Sequence, residues 1–162
     1  MAAVDTRAAA YEYEREHIVS QHKSNPDIRW EQRYTNFLRA VNNLEEALAQ
    51  TAERGPGKLE RQGIVKAFEL AYELAWKTLQ DYLKHQGYDD VVGPRTVLRL
   101  AFSEGLIQDG ELWAAMHRAR NEGAHIYSDT IAETLEHDIR SSFGAPLRRL
   151  SQDLGRRRAG EA

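Results

Sequence analysis

The sequence contains no cysteine among its 162 residues. This absence excludes disulfide bonds, zinc sites with cysteine ligands and cysteine nucleophiles. Prolines number only four, so few positions force a helix to end. No stretch approaches the roughly 20 apolar residues that a membrane-spanning helix requires. The formal net charge is only −3, so any contact with RNA would have to come from a local basic patch.

The composition is that of an ordinary soluble domain, with 41% hydrophobic and 29% charged residues. The chain is long enough for one domain with its own core. Residues 1–24 lack the apolar segment of a secretory signal, so we expect a cytoplasmic protein. We predict a polar extension in residues 1–24, a helical bundle in residues 25–154 and a basic, disordered tail in residues 155–162.

Apolar side chains recur at intervals of three and four residues, which is the period of an α-helix that buries one face. The first such series is Trp30, Tyr34, Phe37, Val41, Leu44 and Leu48, and the second is Ile64, Phe68, Ala71, Tyr72, Ala75, Leu79 and Leu83. On the second helix, Asp81 falls on a face that we expect to be solvated. The pattern predicts an all-α, antiparallel, up-and-down bundle of four or five helices. Its predicted core includes Trp30, Phe37, Phe68, Trp76, Leu79, Trp113 and Leu135.

Residues that favour helix ends separate these segments. Pro26 suits a first turn, glycine ends helices, and Asp109 can cap one. Gly144, Ala145 and Pro146 should kink or break the final helix, which begins near Thr130. The predicted boundaries therefore fall near Asn25, Gly87, Gly93, Gly105, Asp109 and Thr130.

A dense polar cluster follows the segment that carries Trp113. It contains Arg120, Asn121 and His125. An arginine can clamp a phosphate with two charge-assisted hydrogen bonds, and a histidine can transfer a proton near neutral pH. Asn121 could orient the imidazole or the substrate. The three side chains predict a metal-free phosphodiester site, although the spacing alone is also compatible with an ordinary polar helix end.

The string from Arg120 to Tyr127 resembles the R-x4-H-x-Y signature of HEPN domains. The blocks at residues 68–83, 93–95 and 101–110 resemble the nucleotidyltransferase substrate-binding subgroup of that family, and the resemblance covers roughly residues 28–154. It implies a toxin–antitoxin pair in which this chain is a metal-independent ribonuclease that needs no cofactor, cleaves RNA rather than DNA, and acts as a homodimer. A minimal nucleotidyltransferase would be the antitoxin.

Carried over to this sequence, the resemblance gives each motif residue a role. Arg120 would stabilise the phosphate, His125 would act as acid or base, and Asn121 would orient the imidazole or the substrate. Tyr127 would be the tyrosine that the antitoxin modifies with AMP. The glutamate at position 122 departs from the family pattern and would repel an RNA phosphate, and Gly123 would add flexibility. The alternative function is therefore a non-catalytic substrate-binding subunit of a two-component nucleotidyltransferase.

Three weaker alternatives concern other residues. The Glu122–His125 and Glu14–His17 pairs have the spacing of di-iron ligands, and Glu69 or Glu73 could complete such a site. We expect no metal, because Gly123 interrupts one pair and the other lies in a weakly patterned segment. The aromatic residues of the second helix, Phe68, Tyr72, Trp76 and Tyr82, could stack on bases, but we predict that they pack in the core. The basic residues Arg148, Arg149 and 156–158 could attract RNA, but we predict a solvated terminus.

Overall fold

The structure, a computed structural model, describes residues 26–123 and 128–161. In this part of the chain all regular structure is helical. The expected N-terminal extension of residues 1–24 lies outside the described residues. The helices are α1 (Pro26–Gln50), α2 (Lys58–His85), α3 (Pro94–Ser103), α4 (Gly110–Gly123), α5 (Asp129–Asp138), a π-helical turn (Ile139–Phe143) and α6 (Gly144–Arg158).

The helix ends lie close to where the sequence predicts them. Gly87 and Gly105 follow α2 and α3 with φ of 96° and 70°, in the left-handed region that glycine enters without strain. Asp109 precedes α4, and its Oδ1 accepts a hydrogen bond from the Leu112 backbone N–H at 3.0 Å. These local signals, rather than the core, therefore define where the helices stop and start.

The longest helix, α2, lies at the centre of the antiparallel bundle. It packs against α1, which precedes it in the chain and lies along its length, and against α3, α4, α5 and α6. Six of the seven predicted core residues are buried: Trp30, Phe37, Phe68, Leu79, Trp113 and Leu135. Burial of each such side chain contributes about 1.5–3 kcal/mol, so the apolar stripe of α2 holds the bundle together. The predicted all-α bundle is confirmed.

Two residues of α2 differ from the prediction. Trp76 is only partly buried, and its indole Nε1 donates a hydrogen bond to Glu73 at 3.0 Å. Asp81, which we expected in solvent, is 6% exposed because Arg33 of α1 lies against it, with a distance of 2.5 Å between Nε and Oδ2. A helical period predicts which face a residue occupies, but it does not reveal a cation on a neighbouring helix.

The sequence predicts a kink or break at Gly144, Ala145 and Pro146, and the regular α-helix is interrupted just before these residues, although the chain stays helical. Helices α5 and α6 are joined through the π-helical turn, in which the Gly144 N–H donates to the Ile139 carbonyl. Pro146 is the third residue of α6, where the missing N–H of a proline is tolerated. The apolar series of Leu135, Ile139, Phe143 and Leu147 stays buried across this junction.

The first residues of the expected disordered tail instead form the last turn of α6, which runs to Arg158. The Arg157 guanidinium lies 5.9 Å from the centre of the Tyr82 ring, and that of Arg158 lies 5.7 Å from the Tyr34 ring. Such cation–π contacts hold the arginines against the bundle. None of the described helices is long and apolar enough to cross a membrane.

Candidate functional site

The predicted site residues that the structure describes lie at the C-terminal end of α4. Arg120 and Asn121 are in its last turn, and Arg120 is 37% exposed. His125 and Tyr127 lie outside the described residues, so their approach to Arg120 stays a prediction. The described part of the site is formed by α4 together with the central helix α2.

The carboxylate of Glu73 is the centre of this arrangement. Its Oε1 lies 2.9 Å from the Lys77 Nζ, and its Oε2 lies 3.3 Å from the Arg120 Nη2. The same Oε2 accepts the hydrogen bond from the Trp76 indole. One acidic group of α2 therefore connects Lys77 and Trp76 of its own helix with Arg120 of α4.

The electrostatics keep Glu73 ionised. Partial burial acts to raise the pKa of its carboxyl, but the hydrogen bonds from Lys77 and Trp76 and the charges of Lys77 and Arg120 outweigh burial and lower it. Glu73 in turn neutralises part of the positive charge of the two cations. The Arg120 guanidinium is therefore a partly compensated charge rather than a free one.

A second chain of contacts runs back along α4. The Arg120 Nη1 donates to the Asn121 Oδ1 at 3.2 Å, and the Asn121 Nδ2 lies 3.4 Å from the His117 Nε2. Asn121 was predicted to orient an imidazole or a substrate. The imidazole that it contacts among the described residues is that of His117, one helical turn earlier.

His117 stands between this cluster and the core. Burial lowers the pKa of its imidazole, and the charges of Arg95 and Arg120 add to that effect, while Glu73 opposes it. Its Nδ1 is buried without a hydrogen-bond partner in the described part of the chain, and so is the hydroxyl of Tyr72, whose ring centre lies 6.0 Å away. Burial and the charge of Glu73 raise the pKa of Tyr72. The pair is therefore uncharged at neutral pH, which suits hydrogen bonding better than ion binding.

Gly123 has a different role from the one that we predicted. It is the buried last residue of α4, and a Cβ at this position would lie 2.7 Å from the Glu69 Oε1 and 3.2 Å from the Leu135 Cδ2. A larger residue here would force the Glu69 carboxylate and the Leu135 methyl group to shift, so close packing of three helices favours glycine at this position. The side chain of Glu122 is exposed, so its charge faces solvent beside Arg120.

The described residues contain no group of three or more histidine, aspartate or glutamate side chains that could hold a metal ion. Glu69, one candidate ligand, is paired with Lys66 at 2.7 Å, and Glu73 is paired as described above. Glu122 is exposed, and the remaining candidates, Glu14, His17 and His125, lie outside the described residues.

Sequence reasoning missed two members of this site. These are His117, which we did not predict, and Glu73, which we considered only as a possible metal ligand. One signal for His117 was available: it precedes Arg120 by three residues and Asn121 by four, which places all three near one face of a helix. No comparable signal exists for Glu73, because its contact with Arg120 depends on how α2 and α4 pack.

Comparison with known proteins gives a consistent result. The family described as "nucleotidyltransferase substrate binding protein like" matches residues 32–156. HI0074 from Haemophilus influenzae, whose structure is described as the fold of a substrate binding domain of a nucleotidyltransferase, has a TM-score of 0.70 and 26% identity over 75% of this chain and 98% of that chain. A protein from Thermus thermophilus has a TM-score of 0.54 and 30% identity over 70% of this chain and 97% of that chain. A search of curated proteins gave no match. Because the family matches most of the helical bundle, the chain belongs to the nucleotidyltransferase substrate-binding-like family.

Proposed function

We propose that this chain is the substrate-binding subunit of a two-component nucleotidyltransferase, in which a separate catalytic protein transfers the nucleotide. The observation that carries this proposal is the state of Arg120. Its guanidinium already faces the ionised Glu73 at 3.3 Å. A cation that is compensated in this way contributes less to stabilising new negative charge than an unpaired one does.

The same cluster is well suited to recognition. Trp76, Lys77, Arg120 and Asn121 present an aromatic surface and several hydrogen-bond donors where the end of α4 meets α2. Mutual contacts hold these side chains in place, so little conformational entropy is lost on binding. The printed description of HI0074 as a substrate binding domain supports the same function for this chain.

The test is reconstitution with a minimal nucleotidyltransferase from the same organism. We expect the two proteins to co-elute in size-exclusion chromatography, and nucleotide transfer to depend on both. Arg120→Gln should reduce transfer while the complex still forms, because it removes a contact to substrate rather than the interface. The matched control is Arg39→Gln, which should leave transfer unchanged. Arg39 is an exposed residue of α1 and is distant in sequence from this cluster. Transfer that proceeds equally well without this chain would refute the proposal.

A second candidate function is metal-independent RNA cleavage by a toxin of a HEPN toxin–antitoxin pair. The observation that favours it is that Arg120 and Asn121 lie at the end of α4, immediately before the segment that holds His125 and Tyr127. In this reaction the ribose 2′-oxygen attacks phosphorus, its proton passes to a base, and the P–O5′ bond breaks as the leaving oxygen is protonated. His125 would transfer the proton and Arg120 would face the phosphate, across the interface of a homodimer.

This candidate makes different predictions in vivo and in vitro. Cleavage should survive a chelator, leave a 2′,3′-cyclic phosphate, and disappear in His125→Ala and Arg120→Ala. Tyr127→Phe should remain toxic but escape an antitoxin that works by adenylylation of Tyr127, because an attached phosphate would compete with RNA for Arg120. If the wild-type chain expressed alone neither arrests growth nor cleaves RNA, this candidate fails and the substrate-binding function stands.

A further inference from the structure

An open groove runs between α3 and α4, and His117 is one of its lining residues. Its volume is about 520 Å³, within the range of roughly 300–1,000 Å³ that is typical of small-molecule sites. Leu98 and Phe102 contribute apolar surface, and Arg95, Arg99 and Arg118 contribute charge. The groove therefore combines an apolar wall with three cations.

The arginines of this groove differ from most others in the protein. Of the fifteen arginines in the described part of the chain, eleven form an ion pair or a side-chain hydrogen bond with another described residue. The four that do not are Arg39, Arg95, Arg99 and Arg118, and three of these four line this one groove. No acidic side chain is among the groove's described lining residues. Among the described residues, the groove is thus a local concentration of uncompensated positive charge, on a chain whose net charge is −3.

The positive charge of the groove acts on His117. This residue lines the groove, and the charge of Arg95 is one of the causes that lower the pKa of its imidazole. Three guanidinium groups at one site attract an anion with several oxygens, and the planar fork of arginine fits a phosphate with two parallel hydrogen bonds. A phosphate group matches this charge and the hydrogen-bonding pattern of arginine.

The apolar wall indicates what the phosphates are attached to. Phe102 is a large aromatic residue that is 53% exposed. Its ring edge rests against the backbone of Gly110, where a Cβ would lie 3.6 Å from the ring. An exposed aromatic face beside arginines is the arrangement on which nucleic-acid bases stack.

We propose that the groove between α3 and α4 binds a nucleoside phosphate, with its phosphates on Arg95, Arg99 and Arg118 and its base on Phe102. The groove adjoins the Glu73–Arg120 cluster through His117, and binding there does not depend on the proposed pairing with a nucleotidyltransferase. The nucleotide can be free or can be the end of an RNA strand, since both carry the same phosphate and base.

The experiment measures binding of ATP to the isolated full-length chain by isothermal titration calorimetry, at low ionic strength and with EDTA present. Arg99→Gln should weaken binding about tenfold or more, because it removes charge-assisted hydrogen bonds to phosphate. Phe102→Ala should weaken it by a similar factor through lost stacking. Arg39→Gln removes an equally unpaired arginine outside the groove and should change the affinity less than about twofold.

Further ligands test each half of the proposal. Inorganic tripolyphosphate should bind more weakly than ATP, and its affinity should not respond to Phe102→Ala. A short oligoadenylate that binds more tightly than ATP, with the same sensitivity to both variants, would identify an RNA end as the source of the nucleotide. Circular dichroism shows whether the variants are folded.

Three results would overturn the proposal. One is no heat of binding with millimolar ATP. Another is an equal loss of affinity in Arg39→Gln and Arg99→Gln, which would indicate unspecific attraction. The third is tripolyphosphate binding as tightly as ATP. Since no partner protein is present, none of these results bears on complex formation with a nucleotidyltransferase.

Discussion

Replacement of each of two helical glycines by alanine should change the stability of the protein in opposite directions. Gly63 lies in α2, and a Cβ there would meet nothing within 4 Å. Alanine is favoured over glycine in a helix interior by about 1 kcal/mol, so Gly63→Ala should stabilise the protein by about that amount. Gly155 lies in α6, where a Cβ would come within 2.6 Å of the Tyr34 hydroxyl oxygen.

In Gly155→Ala, the close contact between the new Cβ and the Tyr34 hydroxyl should cost more stability than the higher helix propensity of alanine adds. The Tyr34 hydroxyl donates a buried hydrogen bond to the Ser151 carbonyl at 3.1 Å, and its oxygen is fixed at the end of a rigid ring. Displacing it costs about 1–3 kcal/mol for overpacking and about 1 kcal/mol for the hydrogen bond. After the gain of about 1 kcal/mol from propensity, Gly155→Ala should destabilise the protein by about 1–3 kcal/mol.

Thermal unfolding followed by circular dichroism at 222 nm measures both effects. In a chain of this size 1 kcal/mol corresponds to about 2–4 °C in Tm, so the two variants should lie on opposite sides of the wild type. Tyr34→Phe removes the oxygen and leaves the ring carbon that bears it at 3.5 Å, an ordinary contact. The double variant should therefore show a favourable coupling of about 1–2 kcal/mol. If Gly155→Ala raises the Tm as Gly63→Ala does, or shows no coupling to Tyr34→Phe, the packing argument is refuted.

Three further predictions concern the site and the core. His117 should titrate in NMR below its ordinary pKa, and Arg95→Gln should raise that pKa by removing a nearby positive charge. Because the unfolded chain binds the His117 proton more readily, the free energy of unfolding should fall as the pH falls from about 6.5 through the lowered pKa. In His117→Gln this dependence of the free energy of unfolding on pH should be weaker, which denaturant titrations at several pH values would show. Glu73→Gln should lower the free energy of unfolding by about 1 kcal/mol, since its ion pairs are partly exposed; an unchanged urea midpoint would contradict this. Phe68→Ala should cost about 3–5 kcal/mol because the side chain is fully buried, whereas Phe102→Ala, at an exposed position, should change stability by less than about 0.5 kcal/mol.

The helices were predictable from the sequence because their signals are local. The spacing of Trp30, Phe37 and Phe68 within their segments follows the helical period, and Gly87 and Asp109 act on the backbone next to them. No information from distant parts of the chain is needed to interpret either kind of signal. For the same reason the predicted boundaries fall within a few residues of the observed ones.

The site was predictable only in part, since contacts between helices decide its chemistry. The sequence pointed to Arg120 and Asn121 as polar residues that follow a core segment, and both lie at the expected helix end. The compensation of Arg120 by Glu73 joins residues of two different helices that are far apart in the chain. The burial of Asp81 against Arg33 has the same origin. Pairings of this kind follow from the packing of the bundle and leave no trace in local periodicity.

The π-helical turn Ile139–Phe143 has a consequence for changes in chain length. A turn closed by an i→i+5 hydrogen bond contains one residue more than an α-helical turn. Deletion of the exposed Ser141 should therefore convert it into an ordinary turn and leave Leu135 and Leu147 facing the core. The same deletion within α6 would rotate every later side chain by about 100° and bring polar residues into the interior. The junction is thus a place where this long helical segment can lose a residue without losing its register.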